Sequence, residues 1–297
     1  MKINDEIIKI ENLEVKFNDT KVLDINENIV INEGDIVGII GANGAGKSTL
    51  INSIINQVKY NGKIECKFSK DELGIQFQDN SYNKIMKVYE LIQIVTNKKK
   101  FDCEIKKLFD EFDLNKILKK RIGKLSGGEK QRLTLFLVLY LKPKIMIFDE
   151  LTTGLDFQKR NKLLKIVKNY SEGRTVLTIS HYFEELTGWA NKVLILDKGK
   201  IVFYGTIEEL KNRYNHRAIY KIKKVYRNEI KNLYKDNKHI KIIENFNDEI
   251  DALVLIDSVE QQNLVQELMN RNISYEMELC NLYSLYTLAI SQMKGSE

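Results

Sequence analysis

Proline is almost absent from this chain, with Pro143 the single one in 297 residues. Beside an abundance of lysine, asparagine and isoleucine, that scarcity reads as codon bias and points to an AT-rich bacterial source. Cysteine is scarce too. Cys66, Cys103 and Cys280 are odd in number, far apart and without CxxC or Cys/His spacing. That excludes a disulfide framework or a paired-thiol zinc site and suggests reduced thiols in a cytosolic protein. Long apolar runs are missing as well. The longest, Leu133–Leu141, has nine residues, against about 20 for a membrane span, so the chain is not expected to cross a bilayer by itself. The opening "MKINDEIIKIENLEVKF" is polar and alternating, unlike a secretory signal. The net charge of +6 is mild, and runs such as Lys98–Lys100 and Lys119–Arg121 read as solvated surface. No nucleic-acid partner is expected from them.

Against those absences stands one dense motif. "DIVGII" (Asp35–Ile40) is the nearly all-apolar run of a strand buried on both faces. The residues Gly41, Ala42, Asn43, Gly44, Ala45, Gly46, Lys47, Ser48 and Thr49 follow at once. They lead into "TLINSIIN", whose apolar residues recur at helical spacing. Strand, glycine-rich loop and helix together form the context that a phosphate cradle requires. Glycines let successive N–H groups turn inward, and the helix N-terminus adds partial positive charge. Lys47 is then placed to reach the β- and γ-phosphates, and the Ser48 hydroxyl to ligate Mg²⁺.

A second apolar run, "KIMIFDE" (Lys144–Glu150), ends in two adjacent acids. Carboxylates closing a buried strand are costly unless they meet a cation. Asp149 is therefore expected as a metal partner, and Glu150 as the base that takes a proton from attacking water. "KLSGGEKQR" (Lys124–Arg132) offers a serine hydroxyl and two unobstructed glycine N–H groups just before a helix. That is a second anion-binding helix end. One compact subunit cannot readily bring both ends onto one nucleotide, so a head-to-tail homodimer is expected.

With "DELTTGLD" (Asp149–Asp156) and "TVLTISHY" (Thr175–Tyr182) in this order, residues 5–210 resemble the nucleotide-binding subunit of an ABC transporter. The resemblance implies an α/β P-loop NTPase, RecA-like at its core, with antiparallel β and helical subdomains. It also implies an ATPase using ATP and Mg²⁺ and acting on a separate transmembrane permease, peripheral to the inner face of the cell membrane. By the same resemblance, Phe17 stacks on adenine and Gly41–Thr49 wrap the phosphates. Gln78 touches Mg²⁺ and water. Ser126, Gly127 and Gly128 contact the γ-phosphate held by the opposite protomer. Asp156 belongs to the loop linking the two sites, and His181 hydrogen-bonds the γ-phosphate. His216 and His239 are expected on the surface. Two positions depart from the family pattern. Leu151 stands where proline is usual and is expected to loosen the turn that aims Glu150, and Glu129 stands where glutamine is common.

Glu104–Lys120 reads as helix, with Ile105, Leu108, Phe109, Phe112, Ile117 and Leu118 recurring at three and four. It resembles part of the family's helical subdomain, about residues 80–142, whose docking groove for the permease would lie near Asp79–Val95. A nucleotide-binding domain is thus expected over residues 1–214 and an accessory domain over 215–297. In the latter, short β-prone runs and two helical runs alternate as β-α-β-β-α-β, the ferredoxin-like α+β order. The closing "NLYSLYTLAISQ" resembles the end of drug and antibiotic exporter subunits, giving the expectation of export. Two other functions share the same site. One is a soluble ABC ATPase acting on ribosomes or nucleic acid, and the other is the ATPase of a sensor or immunity complex.

Overall fold

The computed structural model describes residues 5–77, 82–244, 246 and 249–294. The chain divides into two compact units between Tyr204 and Gly205.

The first unit opens with β1 (Glu6–Phe17), β2 (Thr20–Ile25) and β3 (Ile29–Asn32). Both β2 and β3 pair antiparallel with β1. Apolar residues of β1 (Ile8, Ile10, Leu13, Val15) are fully buried, while Lys9, Glu11, Glu14 and Lys16 between and beside them reach solvent. That is the period-2 pattern of a sheet with one covered face. The strand β4 (Ile36–Ile40) enters a different sheet, and α1 (Lys47–Ile54) follows. β5 (Asn61–Cys66) then returns to pair with β1.

β6 (Leu73–Gln76) leads to three helices, α2 (Val88–Thr96), α3 (Cys103–Glu111) and α4 (Gly127–Tyr140). Their apolar faces join one core around Val88, Ile92, Leu108, Phe109 and Phe136. Each such side chain contributes about 1.5–3 kcal/mol by leaving water. The helix expected over Glu104–Lys120 is shorter. It stops at Glu111, where Asp113 takes φ +53° and Leu114 N–H bonds back to Phe109 O at 2.8 Å. This is a left-handed helix stop made with aspartate instead of glycine. Phe112, Leu114 and Ile117 stay buried beyond it, so the apolar spacing reported burial correctly while overstating helix length.

β7 (Ile145–Asp149), α5 (Phe157–Tyr170), β8 (Thr175–Ile179), α6 (Phe183–Leu186), β9 (Lys192–Asp197) and β10 (Lys200–Thr206) complete the pattern. The second sheet has the order β10-β9-β4-β8-β7-β6. Its central pairings, β4 with β8 and β9 and β7 with β6 and β8, are all parallel. Every residue of β7 and β8 is buried, as both-face burial of parallel strands demands. Since β4, β8 and β7 are adjacent and parallel, their C-terminal ends open on one edge. In open α/β sheets that edge is where ligands bind.

The second unit begins at Gly205, ten residues before the expected boundary, and its first helix is α7 (Ile207–Arg213). The Tyr214 carbonyl at the end of α7 bonds His216 Nδ1 at 2.8 Å, and His216 Nε2 bonds Ser284 Oγ at 3.0 Å. These bonds tie α7 to the second unit. His216 is accordingly 4 % exposed, which corrects its expected surface position. His239 is half-buried and paired with Asp257 at 2.7 Å. The unit continues as β11 (Ala218–Lys223), α8 (Arg227–Tyr234), β12 (Ile240–Ile243), β13 (Ile250–Leu255), α9 (Gln261–Asn270), β14 (Tyr275–Leu279) and α10 (Leu282–Lys294). Its sheet is antiparallel in the order β12-β13-β11-β14. A bidentate pair from Arg227 to the buried Asp251, with both bonds at 2.7 Å, fixes α8 to β13.

Candidate functional site

The turn from β4 into α1 depends on one backbone position. Gly46 sits at φ +102°, and a Cβ there would stand 2.5 Å from Leu23 Cδ2. A side chain is excluded both by conformation and by space. Lys47, buried at the first position of α1, folds its ammonium onto the loop and donates to Gly41 O at 2.8 Å and Ala42 O at 2.9 Å. Burial pulls that ammonium below the ordinary lysine range, while the Glu150 and Asp149 charges oppose the shift. Asn43, Gly44 and Ser48 are exposed, Ala45 is buried and Thr49 is partly buried.

The acids arrive from the neighbouring strand. Asp149 closes β7, and Ser48 Oγ donates to its Oδ2 at 3.2 Å. Burial pushes the Asp149 carboxyl above its ordinary range, as expected for a carboxylate that lacks full compensation. Glu150 follows at φ +57°. Its Oε1 lies 3.0 Å from His181 Nε2, and its Oε2 accepts from Thr153 Oγ1 at 3.0 Å. His181 comes from the loop after β8, so the parallel sheet brings the cradle, the paired acids and the histidine to one edge. Thr153 escaped the sequence reading because a threonine three residues after an acid carries no signal of its own.

Leu151 is anchored at this turn. It is fully buried in the core, and its carbonyl accepts from Gln131 Nε2. The residue before a proline is pushed out of the helical regions, and leucine leaves Glu150 free to hold its left-handed backbone. Glu129 also has a structural explanation. Ser126 N-caps α4, its Oγ accepting from Glu129 N at 3.2 Å while Glu129 Oε2 accepts from Ser126 N at 2.9 Å. The carboxylate completes a capping box, and Lys120 beside it holds its pKa low. Gly127 has open space where a Cβ would be, and Gly128 meets only Leu155 and Arg132 side chains at 3.4 Å or more.

Asp156 N-caps α5, accepting from Lys159 N at 3.0 Å. Phe17 ends β1 with 49 % of its surface exposed, so its ring is available for stacking. Gln78 lies outside the described residues. Gln76, at the end of β6, is buried, with Nε2 3.4 Å from Asp149 O and Oε1 without a hydrogen-bond partner among the described residues.

The family model described as ABC transporter matches residues 26–153. An energy-coupling factor transporter ATP-binding protein of Mycoplasmoides gallisepticum is 33% identical over 229 residues, covering 71% of this chain and 81% of that one. The chain belongs to the ATP-binding subunits of ABC transporters. A methionine import ATP-binding protein of Clostridium tetani is 29% identical over 225 residues, 69% of this chain and 70% of the relative. The solved structure of an ATP-binding subunit of an ABC transporter superposes with a TM-score of 0.62 at 22% identity. It covers 70% of this chain and 93% of its own, and it bears on the fold alone.

As an ABC ATPase the chain uses ATP and Mg²⁺, and such subunits work with separate membrane permease components. Its residues fit the metal. Ser48 and Asp149 already share a hydrogen bond at the cradle mouth, and the carboxylate is held where burial leaves it needing a cation. No group of three or more His, Cys, Asp or Glu side chains suited to a metal occurs among the described residues. One hydroxyl and one carboxylate suit a hard cation that takes its other ligands from phosphate and water. No helix among the described residues is long and apolar enough to cross a membrane.

Proposed function

We propose that two copies of this chain close head to tail around two ATP, and that hydrolysis reopens them to drive a separate permease. In that arrangement the Gly41–Thr49 cradle of one copy faces the Ser126–Gly128 helix end of the other. The observation that carries the catalytic reading is the fixed carboxylate of Glu150, held between His181 Nε2 and Thr153 Oγ1 at 3.0 Å each. It directly follows the Asp149–Ser48 pair. Two further features support the clamp. Two helix N-termini, those of α1 and α4, follow glycine-containing turns on one chain, and Gly127 has nothing within 4 Å of its missing Cβ.

Each residue then has a task. Lys47 exchanges its loop carbonyls for phosphate oxygens, and Ser48 and Asp149, with Gln78, hold the metal. Bound Mg²⁺ neutralises charge on the phosphates. Glu150 accepts a proton from the attacking water at a carboxylate oxygen, and His181 orients that carboxylate and reaches toward the γ-phosphate. Phe17 stacks on adenine, and Asp156 stiffens the start of α5 in the loop that communicates with the second site. Ile85, three residues before α2, and Ile94 within it are 74 % and 65 % exposed and support docking of the permease there. That docking would hold the subunit at the cytoplasmic face of the membrane. Support for export is the closing Asn281–Gln292 segment. The relatives named above carry import and energy-coupling factor names, so transport of substrate by permease-reconstituted vesicles decides the direction. The 205–297 unit acts as an accessory domain that braces the dimer.

Glu150→Gln tests the proposal. The variant should bind ATP, stall before hydrolysis and elute as a dimer from a sizing column run with ATP. A variant that stays monomeric at every ATP concentration refutes the clamp for the isolated subunit.

A further inference from the structure

Behind the catalytic edge lies a buried polar cluster that the nucleotide does not require. Glu185, on the short helix α6, is 4 % exposed. One of its carboxylate oxygens accepts from Thr152 Oγ1, and the other accepts from Ser180 Oγ at 2.7 Å. Both hydroxyl residues are themselves buried. Ser180 Oγ also accepts from Tyr182 N at 3.0 Å, so it spans His181 from one side to the other. Thr152 stands between Glu150 and Thr153, the residue that grips the Glu150 carboxylate. Arg160, one turn into α5 from the Asp156 cap, brings its Nε to 3.8 Å from Glu185 and stacks its guanidinium 3.6 Å from the Tyr182 ring centroid.

A buried carboxylate is costly, and it persists where several groups hold it. Here the groups it collects are neighbours of both halves of the Glu150–His181 pair, which come from separate loops. The loops are joined at their roots by the Glu150 N–H bond to Ile179 O at 3.1 Å, and the Glu185 linkage adds a second tie beyond that root, beside the 3.0 Å Glu150–His181 contact. The α5 start, which carries Asp156, is attached to the same anchor through Arg160.

We infer that Glu185 is the positioning residue of this ATPase, locking the loop after β7 to the loop after β8 so that His181 meets Glu150. It does not touch substrate. This rests on the proposed roles of Glu150 and His181, and the tests separate the two readings.

Glu185→Gln keeps the volume and one acceptor. It should lower kcat about tenfold to a hundredfold, the scale set by small misplacements of reacting groups, with KM for ATP within about twofold. Thr152→Val should cause a smaller loss. The double variant should be no slower than Glu185→Gln, because both changes break one linkage. An independent readout is the imidazole ¹⁵N spectrum of the three histidines, assigned with His181→Ala. In Glu185→Gln the His181 signals should move while those of His216 and His239 stay. If the wild type proves not to hydrolyse ATP, the proposed function fails and the spectrum alone judges Glu185. If Glu185→Gln does not fold, Ser180→Ala combined with Thr152→Val takes its place in both assays. Unchanged kcat with unmoved His181 signals, or losses that multiply in the double variant, overturn the inference.

Discussion

Replacing Gly46 by alanine separates conformational strain from crowding at the cradle, because Gly44 supplies the control. At Gly46 the backbone lies at φ +102°, outside the ordinary range for a residue with a Cβ, which costs about 1–3 kcal/mol. The new methyl would also stand 2.5 Å from Leu23 Cδ2 and 3.2 Å from Val22 O. Leu23 is fully buried, so repacking it adds about 1–3 kcal/mol. The sum is about 2–6 kcal/mol. Gly44 has φ +79° with nothing within 4 Å of a built Cβ, so alanine there pays only the left-handed term of about 1–2 kcal/mol. Urea unfolding followed by the single tryptophan, Trp189, measures both variants. ATP calorimetry should show a loss above tenfold for Gly46→Ala and a smaller one for Gly44→Ala, since Gly46 aims the first N–H groups of α1. A Gly46→Ala variant no more destabilised than Gly44→Ala would show that Leu23 does not crowd position 46.

Other outcomes can be stated as directly. Phe17→Ala should weaken ATP binding by about 1–3 kcal/mol, the usual worth of an aromatic stacked on a base, with stability little changed because the ring is half exposed. Fluorescent-nucleotide titration reads the affinity. Asp149→Asn should abolish magnesium-dependent hydrolysis yet raise the thermal midpoint of the nucleotide-free protein by about 2–4 °C. The sign follows from linkage. The folded carboxyl titrates above its unfolded value, so the native state binds more protons and wild-type stability falls as pH rises through the folded pKa. The gap between the two proteins should therefore close as pH is lowered toward the carboxylate range, and a gap constant with pH argues against a raised Asp149. Arg227→Ala should destabilise the 205–297 unit by about 3–5 kcal/mol, because it removes the bidentate pair with the buried Asp251 carboxylate. Hydrogen exchange across β13 checks this, and unaltered protection there contradicts it.

The sequence displayed this site unevenly. Strand, loop and helix around Lys47 were legible because each element carries its own local signal: an apolar run, glycines at fixed spacing, then helical periodicity. The β-α-β-β-α-β order of the second unit was legible for the same reason. Polar residues whose meaning lies in distant partners were not. His216 looked like surface until Ser284, 68 positions away, took its Nε2. Glu185 carried no sequence signal, because its partner Thr152 lies 33 positions away. Neither pairing leaves a periodic trace, because one contact between loops needs only one residue of suitable chemistry on each side. The early end of α3 was hidden because Phe112, Leu114 and Ile117 continue a helical spacing while Asp113 turns the chain away.

The posture of Lys47 has a bearing on turnover. Its ammonium is already served by two carbonyls of its own loop, so an incoming triphosphate trades one set of oxygens for another. Departure of the product reverses the trade and strands no bare cation in a half-dry pocket. The loop can thus empty and refill while its one buried ammonium keeps oxygen partners throughout.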